Sequence, residues 1–158
     1  MIGTVDTDEK AHRAKENGCS FAINYRKEDI VTRVKEITDN ELASVVYDSV
    51  GKDTILGSLG CLRPRGILVS FGTASGPTPN IDLATLGARG SLYITRASIA
   101  HYTAQRAEFE AAAESVFKAL EQGILKAASP TTYPLQEVAQ AHLDIQSGNT
   151  TGSVVLLP

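Results

Sequence analysis

Residues 43 to 72, ASVVYDSVGKDTILGSLGCLRPRGILVSFG, constrain the fold of this chain more than any other stretch. An apolar run, Val45-Val46-Tyr47, stops at Asp48-Ser49 and turns at Gly51. A helical segment then leads through Leu62-Arg63-Pro64-Arg65-Gly66, a helix end with favourable cations at its C-terminus, into a second apolar run, Ile67 to Phe71, closed by Gly72. Two short β-branched runs bounded by Gly and Pro, with a helix between them, predict a βαβ unit in a parallel sheet. Such units are right-handed in nearly all cases, so both strands end on one edge of the sheet. Open α/β sheets bind ligands at that edge. Function is therefore sought at Asp48-Ser49 and at Phe71-Gly72-Thr73.

The same alternation extends in both directions. Ile2 to Val5 reads as a strand, and Asp6-Thr7-Asp8-Glu9 as the acidic start of a helix that ends at Asn17-Gly18. Phe21 to Asn24 is the next strand. Ile30, Val31, Val34 and Ile37 mark an amphipathic helix over residues 27 to 38. After a Pro/Gly-rich loop at 73 to 80, residues 91 to 95 form a further strand, and 104 to 122 the longest helix, with Phe109, Val116, Phe117 and Leu120 on one face. Thr131 to Leu135, preceded by Pro130 and carrying Pro134, is an edge strand. A last helix around Val138 to Ile145 and a strand at 153 to 157 complete the chain. The reading is an α/β fold: a Rossmann-like, doubly wound parallel sheet with helices on both faces. It lacks the usual first unit of strand, Gly-rich turn and helix, because no G-x-G-x-x-G occurs. The chain reads as the middle and end of something longer.

Composition excludes several function classes. A net charge of -3 gives no electrostatic footprint for nucleic acid, and the absence of Trp argues against a base-stacking surface. No apolar run approaches the ~20 residues that span a bilayer, so no membrane partner is expected. Cys19 and Cys61 are isolated, which fits a reduced, cytoplasmic protein. No HExxH, CxxC or paired Cys/His spacing points to a metal. His12, His101 and His142 are scattered, with no nucleophile in a strained strand-to-helix turn beside them.

The strand ends carry the remaining candidates. Asp6 stands where an acid holds the ribose 2′-hydroxyl of NAD, or where it simply caps a helix, with the cap ahead. Lys10 and Tyr25, on an early helical turn and at the neighbouring strand end, suit the 2′-phosphate of NADP as point charge and adenine-flanking phenol; a lone lysine there is usually only solvated. Phe71-Gly72-Thr73 offers strand-end amides and a glycine for close approach, and is equally a turn beside a core aromatic. Thr95-Arg96 ends the next strand on the same edge.

Three long motifs, VVYDSVGKDT, SLGCLRPRGILVSFGTASG and GSLYITRASI, together with GTVDTDEKAHRAKENG, AINYRKEDIVTRVKEIT and TTGSVVLLP, closely resemble the quinone oxidoreductase branch of the medium-chain dehydrogenase/reductase superfamily. The resemblance runs from Met1 to Pro158 and corresponds to the C-terminal half of a family enzyme. It implies homodimers that use NADPH to reduce quinones without the catalytic zinc of the related alcohol dehydrogenases. It also implies a division into residues 1–127, a partial Rossmann cofactor-binding domain, and residues 128–158, a return segment that packs on an N-terminal GroES-like catalytic domain. By the same resemblance Lys10 and Tyr25 bind the 2′-phosphate, Asp6 and Thr7 offer backbone contacts to the cofactor, and Ser49 lies beside it. Phe71, Gly72, Thr73 and Ala74 form the nicotinamide-side loop, and Ile94, Thr95 and Arg96 a further contact strand. No catalytic acid is assigned within the chain.

Two departures bear on the cofactor. Gly148 stands where the branch often has a phosphate-assisting arginine, and Asp6 replaces a small uncharged residue, which leaves NADH open beside NADPH. The strand at 91 to 95 is the expected dimer edge. Residues 131 to 135 and 153 to 157 are expected to pair with the missing domain, and so to be exposed or mispaired here. The competing expectation is a catalytically inactive, truncated Rossmann fragment that acts as a dimerising or nucleotide-binding module. A zinc alcohol dehydrogenase is disfavoured by VVYDSVG and FGTASG.

Overall fold

A computed structural model describes residues 1–158. The chain divides into two compact units, Met1–Phe109 and Glu110–Pro158.

The first unit alternates strand and helix: β1 (Ile2–Val5), α1 (Asp8–Glu16), β2 (Phe21–Asn24), α2 (Ile30–Ile37), β3 (Ala43–Asp48), α3 (Ile55–Gly60), β4 (Leu62–Ser70), α4 (Leu83–Ala88), β5 (Tyr93–Arg96) and α5 (Ile99–Tyr102). Local chemistry sets the helix starts. Thr7, Asp29 and Asp82 cap α1, α2 and α4 by accepting from the amides of Lys10, Thr32 and Ala84. The cap of α1 is thus Thr7, and Asp6 is left for another contact. The cap at Asp29 also explains why α2 starts at Ile30 rather than at 27.

All strand pairing is parallel. Residues 1 to 96 form two ladders, β1-β2 and β3-β4-β5. In a doubly wound sheet the strand of the Gly-rich unit stands between these two pairs, and the sequence holds no counterpart of it. β1 and β3 therefore each keep one unpaired edge. The two ladders share a core instead. Ile23, Val34 and Cys61 are buried together, with Ile2 and Val46 packed against them. Helices lie on both faces of β1-β2. The Ile2/Ile23 face meets α2, while on the other face Asn24 donates to Asp8 of α1 at 2.7 Å.

A second core holds β3-β4-β5. Ile55 and Leu59 of α3 pack on Leu62, Leu68 and Leu92, with Leu86 of α4 and Ile94 at the margin. The opposite face of this ladder, with Val45, Tyr47, Ile67 and Tyr93, is exposed. Arg63-Pro64-Arg65-Gly66 is not a helix end. These residues lie in β4 at a register shift, where Ala43 faces Leu62 but Val45 already faces Ile67. The extra residues bulge out, with Arg65 at φ 61° and its amide donating to the Gly90 carbonyl at 2.7 Å. Proline tolerates this because a bulge asks no ladder bond of it.

In the second unit the long helix α6 (Arg106–Glu121, which begins just before the unit boundary) forms, but its apolar stripe stays exposed. β6 (Thr131–Pro134) and β7 (Val154–Leu157) pair with each other in parallel, joined through a 3-10 turn and α7 (Val138–Gln146). The Tyr133 hydroxyl donates to Asp144 at 2.9 Å, clamping α7 to β6. The β6–β7 ladder is regular, running from Thr131↔Val154 to Pro134↔Leu157.

Both cysteines are free thiols, but their settings differ. Burial, with the Asp29 charge adding to it, pushes the Cys61 thiol up to about 11. At pH 8 a disulfide reagent should titrate Cys19 in the native protein, and both thiols only after denaturation. Equal native rates for the two would place Cys61 outside the core.

Candidate cofactor site

The parallel register brings the carboxyl ends of the strands level. Val5 pairs with Asn24, so β1 and β2 stop together, and Asp48, Ser70 and Arg96 pair in one row at the ends of β3, β4 and β5. The candidate residues accordingly fall into two groups.

At the β1-β2 end, Lys10 Nζ donates to both oxygens of Asp6, at 2.8 and 2.9 Å, one helical turn apart. The hydrogen bond from Lys10 holds the Asp6 carboxyl below its ordinary value against a smaller desolvation effect, and Arg26 lies close enough to lower it further. Tyr25, 48 % exposed, projects from the adjoining strand end. Asn24 is buried and organises this corner. It donates to Asp8 and accepts from the Arg26 amide at 3.1 Å, which turns Tyr25 and Arg26 outward. The result is a cation, a phenol and a second cation around one carboxylate. Arg26 and Asn24 were not singled out from sequence. Their only signal was proximity to Tyr25, which has no meaning until the turn is folded.

At the β3-β4 end, two loops interlock. Asp48 is 4 % exposed and accepts from the amides of Val50 and Gly51, each at 2.9 Å, and from the hydroxyls of Thr54 and Ser58. Burial pushes its pKa up, but the hydrogen bonds from Ser58, Gly51, Thr54 and Val50 together outweigh burial and leave it below the ordinary carboxylate value. Gly72 meets this loop backbone to backbone: a Cβ there would stand 2.3 Å from the Ser49 carbonyl oxygen. Ser49, Phe71, Thr73 and Ala74 are exposed along the rim.

Thr95 and Arg96, with Ala97, Ser98, His101 and Tyr102, line an open cavity of about 270 Å³ at the end of β5. Ile94 is placed differently. It packs against the core of the ladder, so only its backbone reaches the edge. No group of three or more His, Cys, Asp or Glu side chains is assembled that could hold a metal ion. No helix is long and apolar enough to cross a membrane.

A strand-end row of this kind, with a glycine-fitted loop and a paired lysine, suits a dinucleotide laid across the ladders. A family model described as zinc-binding dehydrogenase matches residues 17–156. The chain belongs to that family. Within this family it is similar over its whole length to quinone oxidoreductases. It is 44% identical over 158 residues to the quinone oxidoreductase of Pseudomonas aeruginosa, covering 100% of this chain and 49% of that protein. A 2-haloacrylate reductase from Burkholderia sp is 45% identical over 159 residues, with 100% and 48% covered. Among solved structures, the Escherichia coli quinone oxidoreductase complexed with NADPH superposes with a TM-score of 0.94 at 43% identity, covering 99% of this chain and 49% of that one. The chain spans about half the length of the curated relatives it matches. The Rossmann-like α/β reading and the family resemblance both hold.

Proposed function

We propose that this member of the zinc-binding dehydrogenase family is the cofactor-binding portion of an NADPH-dependent quinone oxidoreductase. The observation that carries the reading is the coincidence, at the carboxyl ends of two ladders that share a core, of the Asp6–Lys10 pair beside Tyr25 with the interlocked loops at Ser49 and Gly72. Supporting it is the likeness to the NADPH complex from Escherichia coli. The adenosine 2′-phosphate is assigned to Lys10 and Tyr25, with Thr7 and the backbone at Asp6 beside the ribose. The nicotinamide half is assigned to Ser49, Phe71, Gly72, Thr73 and Ala74, with the backbone of Ile94 and the side chains of Thr95 and Arg96 flanking it. NADPH, when bound, supplies the hydride; these residues bind and orient it and exclude water. Asp6 keeps NADH as a second cofactor, because a carboxylate accepts from a ribose hydroxyl but repels a phosphate.

The proposal extends to the whole protein. Residues 1–127 belong to the cofactor domain and 128–158 return to a GroES-like catalytic domain. The reaction uses no zinc, the compartment is the cytoplasm, and the β5 edge joins two copies into a homodimer. Sedimentation of a monomer at micromolar concentration would remove the dimer. The acceptor is a quinone. A second acceptor class, an α,β-unsaturated acid, is favoured by the 45% identity to a 2-haloacrylate reductase and by the cation and imidazole of Arg96 and His101 in one cavity.

The test is a titration of the 158-residue chain with NADPH and NADH, followed by reduced-nicotinamide fluorescence. NADPH should bind more tightly, and NADH measurably. No binding of either at millimolar concentration would end the nucleotide reading. Rates of NADPH oxidation by the whole protein, catalytic domain included, with 1,4-benzoquinone and with 2-chloroacrylate then separate the two acceptors.

A further inference from the structure

We propose that Asp48 is a positioning residue for the nicotinamide half of the site, acting through the Ser49 and Val50 carbonyls on the loop at Gly72–Gly76. The inference rests on the assignment of that loop to the nicotinamide side, and goes beyond it by naming what holds the loop in shape.

Asp48 itself has no capacity left for a ligand. Its Oδ1 accepts from the Val50 and Gly51 amides, its Oδ2 from the Ser58 hydroxyl at 2.7 Å, and the Thr54 hydroxyl bridges the two. A carboxylate with every lone-pair direction occupied and 4 % exposure is neither a proton carrier nor a contact residue. It is also more than a helix cap. The residue that precedes α3 is Thr54, whose side chain makes no capping bond, and the two amides that Asp48 binds lie upstream, in the turn that follows Ser49.

Folding that turn back onto Asp48 points the Ser49 and Val50 carbonyls at the neighbouring loop. Ser49 O accepts from the Ala74 amide at 3.2 Å, and Val50 O from both the amide and the hydroxyl of Ser75 at 2.9 Å. The Ser75 oxygen in turn accepts from the Asp53 amide at 3.0 Å. The close approach of Gly72 to Ser49 completes the interlock: a Cβ at Gly72 would also stand 2.8 Å from Ser49 Cα. The loops at β3 and β4 are thereby one shelf, and Asp48 is the buried group that sets its angle. The β1-β2 corner shares none of these bonds, so it serves as an internal control.

Two half-cofactor probes test the proposal on the 158-residue chain: reduced nicotinamide mononucleotide for the shelf and adenosine 2′,5′-bisphosphate for the β1-β2 corner, each titrated by NMR. Asp48→Ala should weaken the nicotinamide probe at least about tenfold, equivalent to ~1.4 kcal/mol, and leave the adenosine probe within about twofold. It should also lower the hydrogen-exchange protection of the Ala74 and Ser75 amides, which Asp48 does not touch, without affecting the Tyr25 amide bonded to Val5. Asp48→Asn keeps the Oδ1 acceptor, and the Thr54 and Ser58 hydroxyls can reverse to accept from its amide, so it should restore most of the affinity. Ser75→Ala removes the second clamp without entering the core, and should weaken the nicotinamide probe alone. It decides the matter if Asp48→Ala does not fold. Equal losses for both probes, or an unchanged nicotinamide probe in Ser75→Ala and Asp48→Ala, would overturn the proposal. Wild-type chain that binds adenosine 2′,5′-bisphosphate but not the nicotinamide probe would overturn the shelf assignment on which it stands. Binding of neither would overturn the nucleotide reading as a whole.

Discussion

Lys10→Ala should weaken NADPH by ~10- to 100-fold, the range expected for losing a charge-assisted bond to phosphate at ~1.5–3 kcal/mol, and NADH by no more than about twofold. In the unliganded structure Lys10 is held by both oxygens of Asp6. A 2′-phosphate must therefore share the lysine with a carboxylate, ionised at neutral pH like any ordinary aspartate and held lower still by Lys10 and Arg26. Removing the acid should act in the opposite sense: Asp6→Ser should raise NADPH affinity and weaken NADH, whose 2′-hydroxyl loses an acceptor. Fluorescence titration with both dinucleotides reads all four effects. Equal losses for NADPH and NADH in Lys10→Ala would sink the 2′-phosphate assignment. An Asp6→Ser variant with reduced NADPH affinity would show that the carboxylate positions Lys10 rather than competing with phosphate for it.

Leu68→Ala should cost ~3–5 kcal/mol of folding stability. Leu68 is 0% exposed, on the middle strand of β3-β4-β5, enclosed by Ile55, Leu59, Leu62 and Leu92. Paired strands hold it on either side and α3 closes over it, so the walls cannot collapse into the space a truncated side chain leaves. Against a total stability of ~5–15 kcal/mol for ordinary domains, one such cavity removes a large share. Urea unfolding followed by circular dichroism should show a lower midpoint with an unchanged slope. Leu68→Met, which conserves volume, should lose less than ~1.5 kcal/mol. Leu83→Ala, at an exposed position on α4, should stay within ~0.5 kcal/mol. A Leu68→Ala variant as stable as Leu83→Ala would show that this cluster is not the core of the ladder.

Asp48 and Lys10 illustrate two kinds of residue that sequence treats alike. Each is a charged group at a strand end or helix start, and each has a bland local reading. For Lys10, the spacing of Asp6 and Lys10 already allows an i,i+4 pair, but the local reading puts Asp6 ahead as the helix cap. The folded chain chose Thr7, because its hydroxyl reaches the Lys10 amide, and this released Asp6 to pair. For Asp48, the donors lie two to ten residues onward and the consequence appears at Ser75, on the next strand's loop. No periodicity records a bond between two turns. The Arg63–Gly66 segment failed for a related reason: its Pro and Gly spell a turn locally, but a bulge in β4, opposite Ala43 to Val45 of β3, absorbs them into a strand.

What sequence by itself determined is therefore the local grammar. The apolar runs at Val45 and Ile67, the turns at Gly51 and Gly72 and the alternation of strand and helix follow from backbone propensity and side-chain period, which act over a few residues. These were enough to name an α/β parallel fold and the strand-end edge to which the candidate site is assigned. The tertiary structure alone decided which strands share hydrogen bonds, and it drew β1-β2 and β3-β4-β5 as two ladders over a common core. It alone paired β6 with β7, and turned Asp48 from a strand stop into the buried acceptor that holds the Val50–Gly51 turn. The physical reason is the same each time. Hydrogen-bond partners and close backbone approaches are set by distance in space, and a chain's own order carries that distance only where the contact is local.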